Sequence, residues 1–528
     1  MTPSATLDQL AAGPPLDVAI VGGGINGCAV FREAVGRGLR AALFEQDDFG
    51  FGTTWRSTRL IHGGLRYLEH GDVRLVFESL RERAWLLRVR PHLVQPQRFL
   101  LPVLPWSRRP AWQFGAGLAL YDFLALYRGV PRHRRLSDAA LHRAMPALVA
   151  ATGGGFSFYD ARVVAPERLA LELALEGRRM GGHLFNHARV TGISVSSGGV
   201  SGVEVESGGR RVAIPSRAVV NAAGPWVDAV NALTGAAPKL LGVTRGSHVV
   251  FEPPVPPLPD AVFSTAREDG RVFFAVPQGR LLLVGTTDDR YDAEPGSARP
   301  PAADAEYLLG EAQALLPGYG LSRETVRYAF AGLRPLQQVA GGPESAITRR
   351  HVVTVHARRG GLAGLVSVTG GKISTFRPLA REALDALGLG TGRRPPELAA
   401  PAPGWNDLCP SDLTTESRHH LRMYGPALPA VLASGTGILC THSGAVRGEL
   451  REAVASLATT LSDVLMRRTG IAWAACRGLC CHVQAASLLA PMLGWDAGER
   501  ARQVAAFEAD VARHLPTLDQ LGTSDSVG

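Results

Sequence analysis

The chain has 528 residues, 46% of them hydrophobic and 20% charged, an ordinary globular composition that excludes collagen-like, mucin-like and wholly disordered readings. At about 150 residues per domain, two to four domains fit with ample core. The formal charge is +9, and Lys239 and Lys372 are the only lysines among 56 basic residues, so the positive charge is carried by arginine. That balance suits an anionic substrate or an anionic membrane surface, and no nucleic-acid-binding signature accompanies it.

Residues 1–16 have neither a basic n-region nor a long apolar h-region and read as a loose leader, not a signal peptide. No run reaches the roughly 18 uncharged apolar residues of a spanning helix. Residues 17–21 form a short apolar strand, 25–38 repeat apolar residues at helical spacing, and 40–45 make a second strand, a βαβ opening. Residues 73–90 alternate charges with apolar positions as an amphipathic helix does. The segment 106–135 has an aromatic-rich apolar core at 111–127. Arg108 and Arg109 precede it; Arg128, Arg132, Arg134 and Arg135 follow. Asp122 within the core disfavours crossing a bilayer, so the segment reads as an interfacial helix with Trp112, Tyr121 and Tyr127 at the headgroup level, a buried packing helix being the alternative.

Residues 181–222 and 247–290 alternate strand-like runs with turns, 253–257 form a proline loop, and 323–372 return to strands. A Pro/Gly-rich linker at 391–404 leads to 405–528, read as a separate domain of helices between about 411 and 515. The six cysteines are Cys28, Cys409, Cys440, Cys476, Cys480 and Cys481, too few for a disulfide framework at this length. The Cys476-x-x-x-Cys480-Cys481-His482 run falls in an apparently helical segment without a Cys-x-x-Cys knuckle. It reads as buried or bystander thiols, with no metal. The compartment reads as cytoplasmic.

Gly22-Gly23-Gly24-Ile25-Asn26-Gly27 is a G-x-G-x-x-G between strand and helix, and Glu45 ends the next strand 23 residues after Gly22. Gly22 permits the tight turn, Gly24 lets the backbone approach a pyrophosphate, and Gly27 allows close packing of helix and strand. The helix N-terminus faces phosphate, and Glu45 accepts from ribose hydroxyls, which disfavours a 2′-phosphate. Two distant glycine turns, Asn221 to Trp226 and Gly370 to Thr375, suit an extended FAD better than NAD.

The stretch Ser57-Thr58-Arg59-Leu60-Ile61-His62-Gly63-Gly64-Leu65-Arg66-Tyr67-Leu68 resembles the signature of FAD-dependent, quinone-linked glycerol-3-phosphate dehydrogenases. Further likenesses follow in the family's order at Asn221–Trp226, Gly246–His248, Gly285–Asp288, Gly332–Leu336, Ala346–Arg349 and Gly370–Thr375, over residues 17–380, and in the tail at Asp463–Thr469. The resemblance implies an α/β (α+β) fold. A glutathione-reductase-like FAD-binding domain (about 17–80, 160–245 and 345–390) interleaves with a mostly antiparallel substrate domain (about 81–159 and 246–344), and a C-terminal all-helical domain follows.

It also implies oxidation of sn-glycerol 3-phosphate to dihydroxyacetone phosphate on FAD, with electrons going to a membrane quinone. The enzyme would lie peripherally on the cytoplasmic face of an anionic membrane, as a possible homodimer. Such chemistry needs cations for a dianionic phosphate, a base for the C2 hydroxyl and positive charge near the flavin. Arg334, Arg349 and Arg66 suit phosphate, with Tyr67 and His248 also at the substrate. His62 is the first choice of base, titrating near 6–7, and His248 the second. Lys372 places an ammonium near the flavin or substrate oxygen. Cofactor contacts fall to Gly22, Gly24, Gly27, Glu45, Thr58, Gly63, Gly64, Ala223, Gly224, Gly371, Lys372 and Ser374. The sequence departs from the family at Phe49–Arg56, where bulky groups replace small ones. Two alternatives are an oxidase that uses oxygen and a non-catalytic FAD-fold binding protein.

Overall fold

The computed structural model describes residues 3–522 apart from Tyr127, Ala151, 236–238, 339–349, Thr391 and Arg394. Strand Val18–Val21 is buried along its whole length, as an interior parallel strand covered on both faces must be. It pairs in parallel with Ala41–Phe44 and Val219–Asn221. The sheet extends through His183–Phe185 on one side and Leu365–Thr369 on the other, and closes with antiparallel Val352–Val355. Alternation along the first strand sends Val18 and Ile20 into a core shared with helices Ile25–Gly36, Pro166–Arg179 and Phe376–Ala386. Ala19 and Val21 face the opposite core, under the three-stranded antiparallel sheet 189–215.

Among the described residues the second sheet has ten strands, mostly antiparallel. Its longest pair, Leu241–Phe251 with Val326–Gln337, sets Thr244 opposite Arg334, Gly246 opposite Gly332 and His248 opposite Phe330. Short strand Leu60–Ile61 joins this sheet directly after the first sheet's opening unit, so the chain crosses between the two sheets at the signature stretch. The expected architecture, a mixed α/β nucleotide sheet interleaved with a mostly antiparallel sheet and followed by a helical tail, is the one observed.

The tail carries six helical segments between Thr415 and His514 of six or more residues, a π-helical turn at Asp463–Arg468 and one small hairpin, Ile438–Cys440 with Ala445–Val446. It shares its core with the rest of the molecule. Leu421, Tyr424, Leu428 and Val431 belong to the nucleotide-sheet core, while Leu450, Val464, Met466 and Phe507 pack with Trp55 and Phe330 of the second.

Three expectations are corrected. Residues expected as a loose leader form helix Pro3–Ala12, packed on strand Arg210–Pro215, because Leu7 and Leu10 fall on one face and are buried. The cysteine run is not helical: a short 3-10 turn, Ile471–Trp473, leads into turns that persist to Cys481, and helix begins only at His482. Helix Ala111–Leu124 turns Tyr121 inward, where its hydroxyl donates to Asp160 at 2.8 Å, so that ring is not at a headgroup level. Tyr127 lies outside the described residues. No described helix is long and apolar enough to cross a membrane.

Candidate active site

One elongated cleft runs from the glycine turn to the second sheet. At its first end the three glycines serve different ends. Gly22 has φ +103°, and a Cβ there would lie 2.7 Å from Ala222 O; a Cβ on Gly27 would collide with the Gly22 carbonyl. A Cβ on Gly24 would meet only Thr54 Oγ1, at 3.4 Å, so its missing side chain leaves room in the cleft and not in the protein's own packing. Helix Ile25–Gly36 starts there with no side-chain cap from Gly24, and Asn26 Oδ1, in its first turn, is buried without a partner. Ile25 N donates to Thr54 Oγ1 at 3.0 Å; the positive end of the helix suits a phosphate, and the lone acceptor of Asn26 suits a hydroxyl or N–H of the same group.

Glu45 Oε2 accepts from Gly23 N at 2.5 Å, and Oε1 accepts from Asp47 N at 2.9 Å. Burial pushes its carboxyl up to about 7 despite these two donors, which suits a group sharing hydrogen bonds with hydroxyls. Further along, Thr58, Ala223, Gly224, Gly371, Lys372 and Ser374 line the same cleft, so most of the expected cofactor residues converge. Gly63 and Gly64 sit behind Lys372: Gly63 O accepts from its ammonium at 3.4 Å, and a Cβ on Gly64 would crowd that ammonium at 3.1 Å.

At the far end two cationic side chains and two imidazoles meet. Lys372 Nζ donates to Ser79 Oγ at 3.3 Å and lies 3.8 Å from the centre of the Tyr67 ring, which in turn stacks on His62 at 6.5 Å. His62 faces the cleft, and its pKa is pushed down to about 3, first by burial and then by Lys372 and Arg83. Opposite, His248 lies flat on Phe330, 4.7 Å between centroids, with Nε2 2.8 Å from Thr58 Oγ1. Its Nδ1 is buried without a partner, and burial, then Arg334, lowers it to about 3. Both rings are therefore neutral at neutral pH, able to accept a proton. Burial and the neighbouring cations thus set both rings below the 6–7 expected of the base.

Arg334 lines the cleft on strand Val326–Gln337. Its Nη1 donates to Asp288 Oδ1 at 3.0 Å, and Nη2 donates to Thr286 Oγ1 at 2.8 Å and Thr287 O at 3.1 Å. These bonds hold the guanidinium plane in place before any anion arrives. Arg349 and the side chain of Arg66 lie outside the described residues.

The sequence reading missed three contributors. Arg56 is buried on the cleft wall, its pKa lowered to about 10 by burial; it sits in the stretch marked as unusual, where arginine abundance hid it. Asp288, quoted within a matched stretch, orients Arg334. Below the Gly63–Gly64 turn, Asp160 accepts from Gly63 N, Arg83 and Tyr121, three residues that no local pattern joins.

A family model described as FAD dependent oxidoreductase matches residues 17–377. A glycerol-3-phosphate dehydrogenase of Synechocystis sp. is 35% identical over 86% of this chain and 89% of its own length. A D-erythritol 1-phosphate dehydrogenase of Brucella abortus is 34% identical over 86% and 94%. Among solved structures, the glycerol-3-phosphate dehydrogenase from Bacillus halodurans complexed with FAD superposes with a TM-score of 0.78 at 25% identity, covering 98% of each chain.

Proposed function

This chain belongs to the family of FAD-dependent glycerol-3-phosphate dehydrogenases, and from that premise we propose that it oxidises sn-glycerol 3-phosphate to dihydroxyacetone phosphate and passes the electrons to a membrane quinone. FAD is its cofactor, and when bound it supplies the acceptor for the hydride that leaves C2. The pyrophosphate falls at Gly24 and the helix start, and the adenosine ribose at Glu45. His62 takes the proton of the C2 hydroxyl, with His248 on the opposite wall as the second candidate. Arg334 holds the phosphate, joined by Arg66 and Arg349, whose assignment rests on sequence motif alone. Lys372 keeps a positive charge where the flavin and the C2 oxygen would meet.

The observation that carries this reading is the convergence, beyond the glycine turn, of two neutral imidazoles with a pre-oriented guanidinium and an ammonium in one cleft. An amine substrate would leave that cationic pair without a task, and an amino acid would need only one of its members, for its carboxylate. The test is a substrate panel with dye, quinone and oxygen as acceptors, including D-erythritol 1-phosphate. The reading requires glycerol 3-phosphate to be the better substrate and quinone the better acceptor; peroxide as the main product would make the enzyme an oxidase. The flavin is held without a covalent bond, so acid precipitation releases it to the supernatant.

Support for the membrane-bound part comes from helix Ala111–Leu124 and its flanks. Trp112 is 69% exposed, Phe123 59% and Leu126 50%, and Arg108, Arg109, Arg128, Arg132, Arg134 and Arg135 around them are exposed. An apolar, aromatic face ringed by arginines suits the interface of an anionic bilayer on the cytoplasmic side. The same helix reaches the active site through Tyr121 and Asp160 to Gly63.

A further inference from the structure

We propose that Cys440, His442, Cys476 and Cys480 bind one zinc ion, tying the hairpin of the C-terminal region to the turns that follow Trp473. Three sulfurs form a closed triangle: Cys440 Sγ is 3.7 Å from Cys476 Sγ and 3.6 Å from Cys480 Sγ, and those two are 3.4 Å apart. With His442 included, the four ligand atoms all lie within 4.8 Å of one another. Zn–S bonds of about 2.3 Å in a tetrahedron separate two sulfurs by about 3.8 Å, close to all three edges. A disulfide needs about 2.05 Å between two sulfurs and has no use for the third. A two-iron cluster would divide four ligands into two separated pairs, and no such division exists here. Three thiolates and one imidazole around one centre are the donor set of a structural zinc site, too soft for calcium or magnesium.

The chain builds this set from two places far apart in sequence. Cys440 ends strand Ile438–Cys440, and His442 stands two residues on, in the connection to Ala445–Val446. Cys476 and Cys480 belong to the turns of 474–481, where Arg477 and Gly478 both take left-handed φ values, +53° and +81°. That bend brings both thiols to one side. The pattern is therefore Cys-x-His with Cys-x-x-x-Cys, which a search for paired Cys-x-x-Cys knuckles passes over. Cys440 is buried, whereas His442 and Cys480 are exposed, which leaves the ion a route in from solvent; on binding, three thiol protons leave to water.

The tie has a structural consequence near the active site. Trp473, three residues before Cys476, lies with its indole 3.9 Å under the Arg59 guanidinium, 5.2 Å from Trp55 and 5.0 Å from Phe330. Its carbonyl accepts from Tyr328 at 2.7 Å. Phe330 is the ring on which His248 rests. Fixing the turns after Trp473 thus braces the wall behind the His248 imidazole.

The experiment is metal analysis of the full-length flavoprotein, purified without chelator and freed of loose metal by gel filtration. About one zinc per chain is expected, and a thiol-blocking mercurial should release it to a chromophoric chelator. Cys480→Ser and His442→Ala, both at exposed positions, should lower zinc content about tenfold while FAD content stays the same. If either variant fails to fold, the mercurial release from the wild-type protein still decides the matter. Iron with acid-labile sulfide, a disulfide between Cys440 and Cys476 in peptide maps, six free thiols with no metal, or zinc retained in both variants would each overturn the proposal.

Discussion

Arg334 is held by Asp288 and Thr286 before substrate binds, so its contribution depends on pre-orientation as well as charge. Arg334→Ala removes a charge-assisted fork of about 2–4 kcal/mol, and kcat/KM should fall about 30- to 1000-fold. Lys372→Met should lower kcat more than it raises KM. Steady-state kinetics check both, and near-wild-type turnover in the two variants would move the site elsewhere. The imidazoles give a sharper test. A base must be unprotonated, and because His62 and His248 are lowered to about 3, that form persists throughout neutral pH and is lost only as pH falls through about 3. An activity limb near 6–7 must then belong to the substrate phosphate, whose second ionisation lies at about 6, or to Glu45, raised to about 7, and to neither imidazole. His62→Ala should therefore cost about 100-fold in kcat and keep that limb. Loss of the limb would assign it to His62, and a matching loss in His248→Ala alone would reverse the two histidines. At this scale the sequence was legible where a residue type is scarce. Lys372 stands out among arginines and His62 between an apolar run and two glycines, whereas Arg56 and Asp288 look like dozens of others until the strands are paired.

Between elements, the turn after strand Ala41–Phe44 meets the tail through a buried ion network. Asp48, fully buried, accepts from Arg468 Nη1 at 2.6 Å and Nη2 at 2.8 Å, from Arg467 Nε at 2.9 Å and from Asn186 Nδ2 at 3.0 Å. Removing one partner strands a charge out of water, so Arg468→Ala should cost about 3–5 kcal/mol in denaturant titrations, far more than an exposed pair would. A change under about 1 kcal/mol would mean that the tail is not clamped here. Helix Ala111–Leu124 carries the membrane prediction. Replacing Arg132, Arg134 and Arg135 by Gln should weaken sedimentation with anionic vesicles and leave dye-linked turnover unchanged. A wild-type protein that stays in the supernatant at low salt, yet reduces quinone fully, would contradict interfacial binding. Elements with strong local periodicity were readable: 73–90 was expected and Val73–Val89 is found, capped by Asp72. The helix Pro3–Ala12 was not, because Leu7 and Leu10 acquire meaning only against strand Arg210–Pro215. Nor were the turns of 474–481, whose alternating small and apolar residues imitate a helix.

Over the whole molecule, the nucleotide sheet is assembled from strands as distant as Val18–Val21 and Leu365–Thr369, with the second sheet's strands inserted between them in sequence. Periodicity identifies strands but carries no information about which partners they take. The interleaving was legible only through the ordered series of family-like motifs. The tail's role was hidden for a related reason: its apolar residues complete two cores that belong to earlier segments, and a linker-and-domain reading of 391–404 says nothing of that. On the proposed function the cleft between the sheets is one site, with FAD along the glycine turn and a phosphorylated polyol between His62, Arg334 and Lys372. Anaerobic addition of sn-glycerol 3-phosphate to the purified yellow protein tests it most directly. Stoichiometric bleaching of the flavin is expected, with an equal amount of dihydroxyacetone phosphate formed, and both should slow about 30- to 1000-fold in Arg334→Ala at the same subsaturating substrate concentration. A flavin that stays oxidised with glycerol 3-phosphate, while an unphosphorylated amine or alcohol bleaches it, would contradict the account.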